Sequence, residues 1–144
     1  MLKNSPARKQ IIFIVGPTAI GKTEVALHLA RKLKAEIISC DSMQIYKGMD
    51  IIVSKPSPAI LKAVPHHLIS TIPVETAYNV SQYRLDAHKV IKNILRRNKN
   101  PLFVGGPGLY MTILIDGIFE LDAQDPAIRK KLQKIVLKRI LMLN

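Results

Sequence analysis

Cysteine is scarce in this sequence of 144 residues. Cys40 is its one cysteine, which excludes an intramolecular disulfide bond and fits a reducing compartment such as the cytoplasm. We interpret it as a small buried apolar residue at the end of a strand. Residues 1–10 are short, polar and basic and lack the apolar segment of a secretory signal, which leaves an organellar targeting peptide as the weaker alternative.

Long apolar runs are also missing. Charged residues interrupt every apolar segment well before the roughly 18 residues that a membrane-spanning helix needs. The sequence therefore predicts no membrane partner. Because 48% of the residues are hydrophobic, it can still bury the core of one globular domain, which we expect to be a monomer.

Acidic residues are few. The chain has 10 Asp and Glu against 22 Lys and Arg, a formal net charge of +12. Such an excess attracts polyanions, and nucleic acid is the polyanion that soluble proteins most often bind. Solvated helix faces also carry basic residues, so the charge favours a nucleic-acid partner but does not establish one.

A glycine-rich motif follows the apolar run of residues 11–15 and precedes a helical stretch. It fits the pattern G-x-x-x-x-G-K-[ST] and reads Gly16-Pro17-Thr18-Ala19-Ile20-Gly21-Lys22-Thr23. In this context the pattern predicts a phosphate-binding loop. The backbone N–H groups and the helix N-terminus would hold an anion, Lys22 would reach the terminal phosphates, and the Thr23 hydroxyl would hold Mg²⁺. ATP, GTP and an organic diphosphate all fit such a loop.

Strand and helix patterns alternate along the chain. Strands are predicted at residues 11–15, 36–40 and 101–104, with helices at 22–33, 60–64, 79–98, 109–115 and 126–143 and a strand or loop at 65–69. The fold class is therefore α/β, a three-layer P-loop nucleotidase-like parallel sheet with helices on both faces. We divide the chain into a polar tail (1–10), this core (11–120) and the start of a basic helical insertion (121–144).

Three candidate site segments follow predicted strands. They are the phosphate loop, Asp41, and the glycine loop of residues 105–108. Ligands of parallel sheets bind beyond the carboxyl ends of the strands, so these segments should meet there. Asp41 is a candidate Mg²⁺ ligand, a candidate general base, or a turn residue.

Further segments make a resemblance to a known family specific. In order they are Asp41-Ser42-Met43-Gln44-Ile45-Tyr46-Lys47-Gly48-Met49-Asp50-Ile51, Lys55-Pro56, Val64-Pro65-His66-His67-Leu68-Ile69 and Gly105-Gly106-Pro107-Gly108-Leu109-Tyr110. With the phosphate loop, their order and spacing resemble the tRNA dimethylallyltransferases over residues 11–129. That family transfers a dimethylallyl group from its diphosphate to N6 of an adenine beside the anticodon, and it releases pyrophosphate.

The resemblance implies a role for each matching residue. The phosphate loop would hold dimethylallyl diphosphate rather than ATP, with Lys22 and a Mg²⁺ at Thr23 stabilising the leaving pyrophosphate. Asp41 would take the proton from N6 of an adenine extruded from the anticodon loop. The residues implied to contact tRNA are Asp41, Ser42, Met43, Gln44, Pro107 and Arg129. Pro107 stands where the family usually has a threonine, and so lacks its hydroxyl.

Two smaller features are interpreted more plainly. His66 and His67 are predicted to serve packing and loop hydrogen bonds rather than metal binding, because no third ligand lies nearby in the sequence. Lys55 is either a contact to diphosphate or tRNA, or an ordinary surface lysine.

The resemblance also predicts an incomplete enzyme. Family members continue well past the position that matches Asn144, so we expect little or no transferase turnover from this chain alone. Two other functions remain open from the residues themselves: a small ATP-dependent P-loop kinase and a non-catalytic tRNA-binding fragment.

Overall fold

A computed structural model describes residues 10–49, 53, 55–106, 108–117 and 131. Within them, strands and helices alternate as predicted, with ends within about two residues of the expected ones. The elements are β1 (Ile12–Val15), α1 (Lys22–Lys32), β2 (Ala35–Cys40), α2 (Pro58–Ala63), β3 (His66–His67), α3 (Val80–Arg96), β4 (Asn100–Gly105) and α4 (Leu109–Asp116). The polar tail before Gln10 and the helix predicted at residues 126–143 lie outside this description, apart from residue 131.

The four described strands form one parallel sheet in the order β1-β4-β2-β3. Val15 and Cys40 both lie opposite Gly105, so β1, β2 and β4 end level with one another. The short segment that the sequence left as strand or loop is the edge strand β3. The carboxyl ends of the strands therefore lie side by side at one end of the sheet, where the candidate site segments begin.

Helices cover both faces of the sheet. On one face, α1 packs against Ile37 and Leu102. On the other face, α3 and α4 pack against Ile38 and Phe103. Because successive residues of a strand point to opposite faces, Ile37 and Ile38 belong to different layers of the core. The predicted three-layer α/β fold is confirmed.

The spacing of Val25, Ala26, Leu29, Ala30 and Leu33 predicts a single buried stripe along α1, and the helix buries a narrower one. Ala26 and Ala30 are buried as expected, but Val25 is 51% exposed and Leu33 is 38% exposed. Val25 lies about 100° around the helix from Ala26, and Leu33 is already the C-cap residue. The expectation of a buried stripe that includes both was wrong, because the side of α1 that packs on the sheet is centred on Ala26 and Ala30.

A buried ionic group joins three elements near the amino ends of the strands. The carboxylate of Glu36 on β2 accepts hydrogen bonds from Arg97, which caps α3, and from His67 on β3, each at 2.7 Å. Burial of Glu36 opposes its ionisation, but these two hydrogen bonds and the positive charge of Arg97 outweigh that effect. The pKa of Glu36 is lowered as a result.

We predict that Glu36→Gln destabilises the fold by about 2 kcal/mol at pH 7, because it leaves Arg97 and His67 without the carboxylate charge. A carboxyl whose folded-state pKa is lowered contributes stability above its unfolded-state pKa and loses it as the pH falls through the folded value. The difference between the two proteins should therefore shrink below about pH 4.5. Urea unfolding between pH 3 and 7 measures it.

The matched control is Glu75→Gln, since Glu75 is exposed and has no ion-pair partner among the described residues. It should leave the unfolding free energy within about 0.5 kcal/mol of the parent value. An equal loss of stability in both variants would contradict the role given to Glu36.

Candidate functional site

The phosphate loop has the backbone geometry of an anion site. Ala19 and Gly21 both have left-handed φ angles, of 66° and 83°. Gly21 is the N-cap residue of α1 and provides no side chain, so the first N–H groups of the helix receive no side-chain cap. A left-handed φ is uncommon at a residue such as Ala19, and such strained positions are frequent at binding sites. The Lys22 ammonium donates to the Pro17 carbonyl, which holds the lysine over its own loop.

Gly105 brings the strand ends together. A Cβ at Gly105 would lie 2.5 Å from the carbonyl oxygen of Cys40, so only glycine fits between β4 and β2 here. The Gly105 carbonyl also accepts a hydrogen bond of 3.3 Å from the backbone N–H of Gly16, where the phosphate loop begins. The loop and Asp41, the residue after Cys40, thus start on the two sides of Gly105.

Asp41 forms a tight turn at the end of β2. Its Oδ1 accepts hydrogen bonds from the backbone N–H groups of Met43 at 2.8 Å and Gln44 at 3.3 Å. Because both bonds use Oδ1, Oδ2 is the atom that can accept a proton from a bound substrate. The hydroxyl of Ser39, which is buried, donates to Gln44 Oε1 at 3.0 Å and orients the Gln44 amide.

A cavity of about 720 Å³ joins the phosphate loop to this turn. Its polar lining includes Thr18, Lys22, Thr23, Asp41 and Gln44. Its apolar lining includes Ala26, Ile37, Met43, Val53, Pro56, Ile60, Ile69 and Val104. The cavity therefore combines an anion-binding end with a carboxylate and an apolar wall.

The structure does not bring every predicted site residue into the cavity. Gly16, Pro17, Ile20 and Ser42 are absent from its lining, whereas Ala19, Gly21 and Met43 are part of it. Pro107 and Arg129 lie outside the described residues. The individual roles assigned to these residues stay predictions.

His66 lines the cavity, which the sequence did not indicate. Its Nδ1 lies 2.7 Å from the Val64 carbonyl, so Nδ1 carries the proton and Nε2 keeps the lone pair. Burial lowers the pKa of His66, so the ring is neutral at pH 7. Since His66 pairs with Ile37 and His67 with Ile38, adjacent histidines face opposite sides of the sheet. The sequence contains no signal for which of them faces the cavity.

Lys55 holds the wall of the cavity together. Its Nζ donates to the Tyr46 carbonyl at 2.6 Å and to the Ser70 hydroxyl at 2.8 Å. The same two segments are joined by backbone bonds, including Ser70 N–H to the Gln44 carbonyl at 2.9 Å. The sequence predicts Lys55 as a substrate contact or as an ordinary surface lysine. The observed bridge corresponds to neither role.

Tyrosines support the end of β2 from the other face of the sheet. The Tyr83 hydroxyl donates to the Ser39 carbonyl at 2.9 Å, and its ring stacks on Tyr110 with centroids 4.0 Å apart. Burial raises the pKa of the Cys40 thiol to about 11. The thiol is therefore not a nucleophile at neutral pH, which agrees with a small buried apolar residue.

The donor atoms of the cavity fit a phosphate-bound Mg²⁺. Among the described residues, no group of three or more His, Cys, Asp or Glu side chains could hold a metal. Mg²⁺ commonly binds through phosphate oxygens, waters and one or two protein oxygens, and Thr23 and Asp41 provide such oxygens in the cavity. In the part of the chain that the structure describes, no helix has the length and apolar character of a membrane span.

In this parallel sheet β1 runs into a phosphate loop, and β2, on the other side of β4, is followed by a carboxylate. This arrangement defines a P-loop α/β protein. Comparison with known sequences makes the class specific. The sequence model of the IPP transferase family matches residues 44–142, more than half of the chain. The chain belongs to this family.

Named relatives agree with this assignment. A tRNA dimethylallyltransferase of Pseudothermotoga lettingae is 48% identical over 122 residues, which are 85% of this chain and 39% of that protein. The crystal structure of the full-length tRNA isopentenylpyrophosphate transferase of Bacillus halodurans has a TM-score of 0.75 and 37% identity, covering 91% of this chain and 44% of that one. A eukaryotic dimethylallyltransferase acting on tRNA has a TM-score of 0.69 and 30% identity. The chain spans about two-fifths of the length of the curated relatives it matches.

We predict that Gly105→Ala lowers the unfolding free energy by about 1–3 kcal/mol, because its Cβ would overlap the Cys40 backbone. Gly106→Ala is the matched control, since nothing lies within 4 Å of a Cβ at that position. Thermal unfolding of the two variants measures the difference. Equal stability would show that β2 and β4 can separate without loss.

Lys55→Met should loosen the wall of the cavity while keeping the packing of the side-chain stem. We expect a loss of about 1–2 kcal/mol in unfolding free energy, because the Tyr46 carbonyl and the Ser70 hydroxyl lose a charged donor. Hydrogen exchange at Gln44–Lys47 amides should become faster. Lys47→Met, in the same segment but exposed, is the control, and faster exchange in both variants would argue against the bridge.

Proposed function

We propose that this chain carries the donor site and the catalytic carboxylate of a tRNA dimethylallyltransferase. The reaction moves a dimethylallyl group from dimethylallyl diphosphate to N6 of an adenine next to the anticodon and releases pyrophosphate. The observation that carries the proposal is the cavity that Lys22, Thr23 and Asp41 line together. The names of the relatives support both the group transferred and the tRNA acceptor.

The phosphate loop is the proposed site of the diphosphate. Its backbone N–H groups and the N-terminus of α1 would bind the phosphate oxygens, and Lys22 would exchange the Pro17 carbonyl for one of them. These groups would then face the position where negative charge grows as pyrophosphate leaves, which is how such sites lower a barrier. A Mg²⁺ bound to the diphosphate and held at Thr23 would neutralise further charge there.

Asp41 is the proposed general base. As the bond to carbon forms, the attacking nitrogen becomes acidic, and Oδ2 of Asp41 would take its proton. The backbone bonds of Met43 and Gln44 to Oδ1 keep the carboxylate oriented at the end of β2. The adenine must leave its stack to reach this position, and a single-stranded anticodon loop permits that more readily than a duplex. Gln44, oriented by Ser39, would contact the base.

Ligand-induced stabilisation tests the donor site. Dimethylallyl diphosphate with Mg²⁺ should raise the melting temperature of the chain, and ATP should not. Lys22→Met should abolish the shift, because it removes the cation of the phosphate loop, whereas Asp41→Asn should retain it. Stabilisation by ATP but not by dimethylallyl diphosphate would favour the P-loop kinase instead.

A single-turnover reaction tests the transfer. Excess protein is incubated with labelled dimethylallyl diphosphate and unmodified tRNA, and the hydrolysed tRNA is analysed by mass spectrometry. We expect labelled product from the parent chain and none from Asp41→Asn. Product from Asp41→Asn at the parent rate would overturn the role of Asp41.

A further inference from the structure

Four basic residues follow one another at intervals of four along α3. They are Arg84, His88, Lys92 and Arg96, and together they are called the basic stripe. Residues four apart lie on one side of a helix, one turn above another. The stripe therefore extends over about 18 Å along the helix axis.

The stripe lies on the side of α3 that faces away from the sheet. The buried side of the helix consists of Tyr83, Ala87 and Ile94. His88, Lys92 and Arg96 are exposed, and Arg84 is partly exposed. Within the described residues, none of the four side chains has an ion-pair partner. The charges of Arg84, Lys92 and Arg96 are thus directed to solvent.

Acidic residues of α3 do not neutralise these charges. Lys92 and Arg96, four residues apart, repel each other, although Arg96 in the last turn favours the helix dipole. The one acidic residue of the helix, Asp86, already binds Lys89 and Tyr78. The charges of Arg84, Lys92 and Arg96 thus have no acidic partner on their own helix and attract an anion from solvent.

The stripe begins at the end of α3 that lies beside the carboxyl ends of the strands. The Tyr83 hydroxyl binds the Ser39 carbonyl there, on the face of the sheet opposite α1. Because α3 precedes β4 and runs antiparallel to it, the stripe leads away from the carboxyl ends of the strands. An anionic chain with one base near Asp41 would have to pass these strand ends before it continues along α3.

We propose that the basic stripe binds the phosphate backbone of the anticodon stem of tRNA. The inference rests on the proposed function for the choice of RNA, and on the geometry of α3 for the place of contact. Each phosphate that a lysine or arginine neutralises releases counterions, so binding through the stripe must weaken as salt rises. The contact positions the RNA and does not read its sequence.

Salt-dependent binding of an anticodon stem-loop RNA to the full chain tests this surface. The stripe variant combines Arg84→Gln, Lys92→Gln and Arg96→Gln. The control variant combines Arg31→Gln, Lys32→Gln and Lys62→Gln, which removes the same charge from exposed positions on α1 and α2. Both should keep the melting temperature of the parent, and Lys92→Gln alone replaces the triple variant if that one does not fold.

For the stripe variant, we expect the slope of log affinity against log salt to become shallower by about 2–3, with roughly tenfold or greater loss of affinity in low salt. The single variant should change the slope by about 1. The control should change the slope much less. Equal losses in both triple variants would mean that only net charge matters and would overturn the proposal, as would an unchanged stripe variant.

Two further results separate this proposal from the proposed function. Duplex DNA that binds as tightly as the stem-loop, with the same loss in the stripe variant, would overturn the assignment to RNA. The measurement needs no catalysis, so a chain that binds RNA through the stripe but transfers no prenyl group would contradict the proposed function alone.

Discussion

The close approach of β2 and β4 at their carboxyl ends is the constraint on which the site depends. Gly105 lies against the Cys40 carbonyl with no room for a side chain, and its own carbonyl binds the first residue of the phosphate loop. These two contacts put the loop and Asp41 at the ends of β1 and β2, the strands on either side of β4, at the same end of the sheet. A wider separation would leave an anion site and a carboxylate that could not act on the same molecule.

Different parts of the cavity lining favour different chemical groups. Backbone N–H groups and Lys22 favour a phosphate group at one end, and the apolar side chains of the wall favour hydrocarbon or the face of a base. Asp41 is held by backbone bonds rather than by a cation, so its charge remains available to a substrate. Lys55 stabilises that wall through its hydrogen bonds to the Tyr46 carbonyl and the Ser70 hydroxyl.

Local patterns predicted most of the secondary structure and much of the site. The sequence predicts Asn79 or Ser81 as the N-cap of α3, and Asn79 caps it through its bond to the Gln82 N–H. Such a cap is predictable because it acts within a few residues. The exposure of Val25, the orientation of His66 and the bridge made by Lys55 could not be predicted in the same way. Each depends on which element lies opposite, over separations that periodicity and propensity do not describe.

By itself, the sequence determined the phosphate loop, the parallel α/β order and the position of Asp41 after a strand, because these follow from short patterns with one physical meaning. Only the tertiary structure decided that the loop, Asp41 and His66 line the same cavity. It also decided that His88, Lys92 and Arg96 of α3 are exposed to solvent while Tyr83 and Ile94 are buried against the sheet. Packing of distant segments sets these placements, since a side chain's surroundings come from strands and helices far away in the chain.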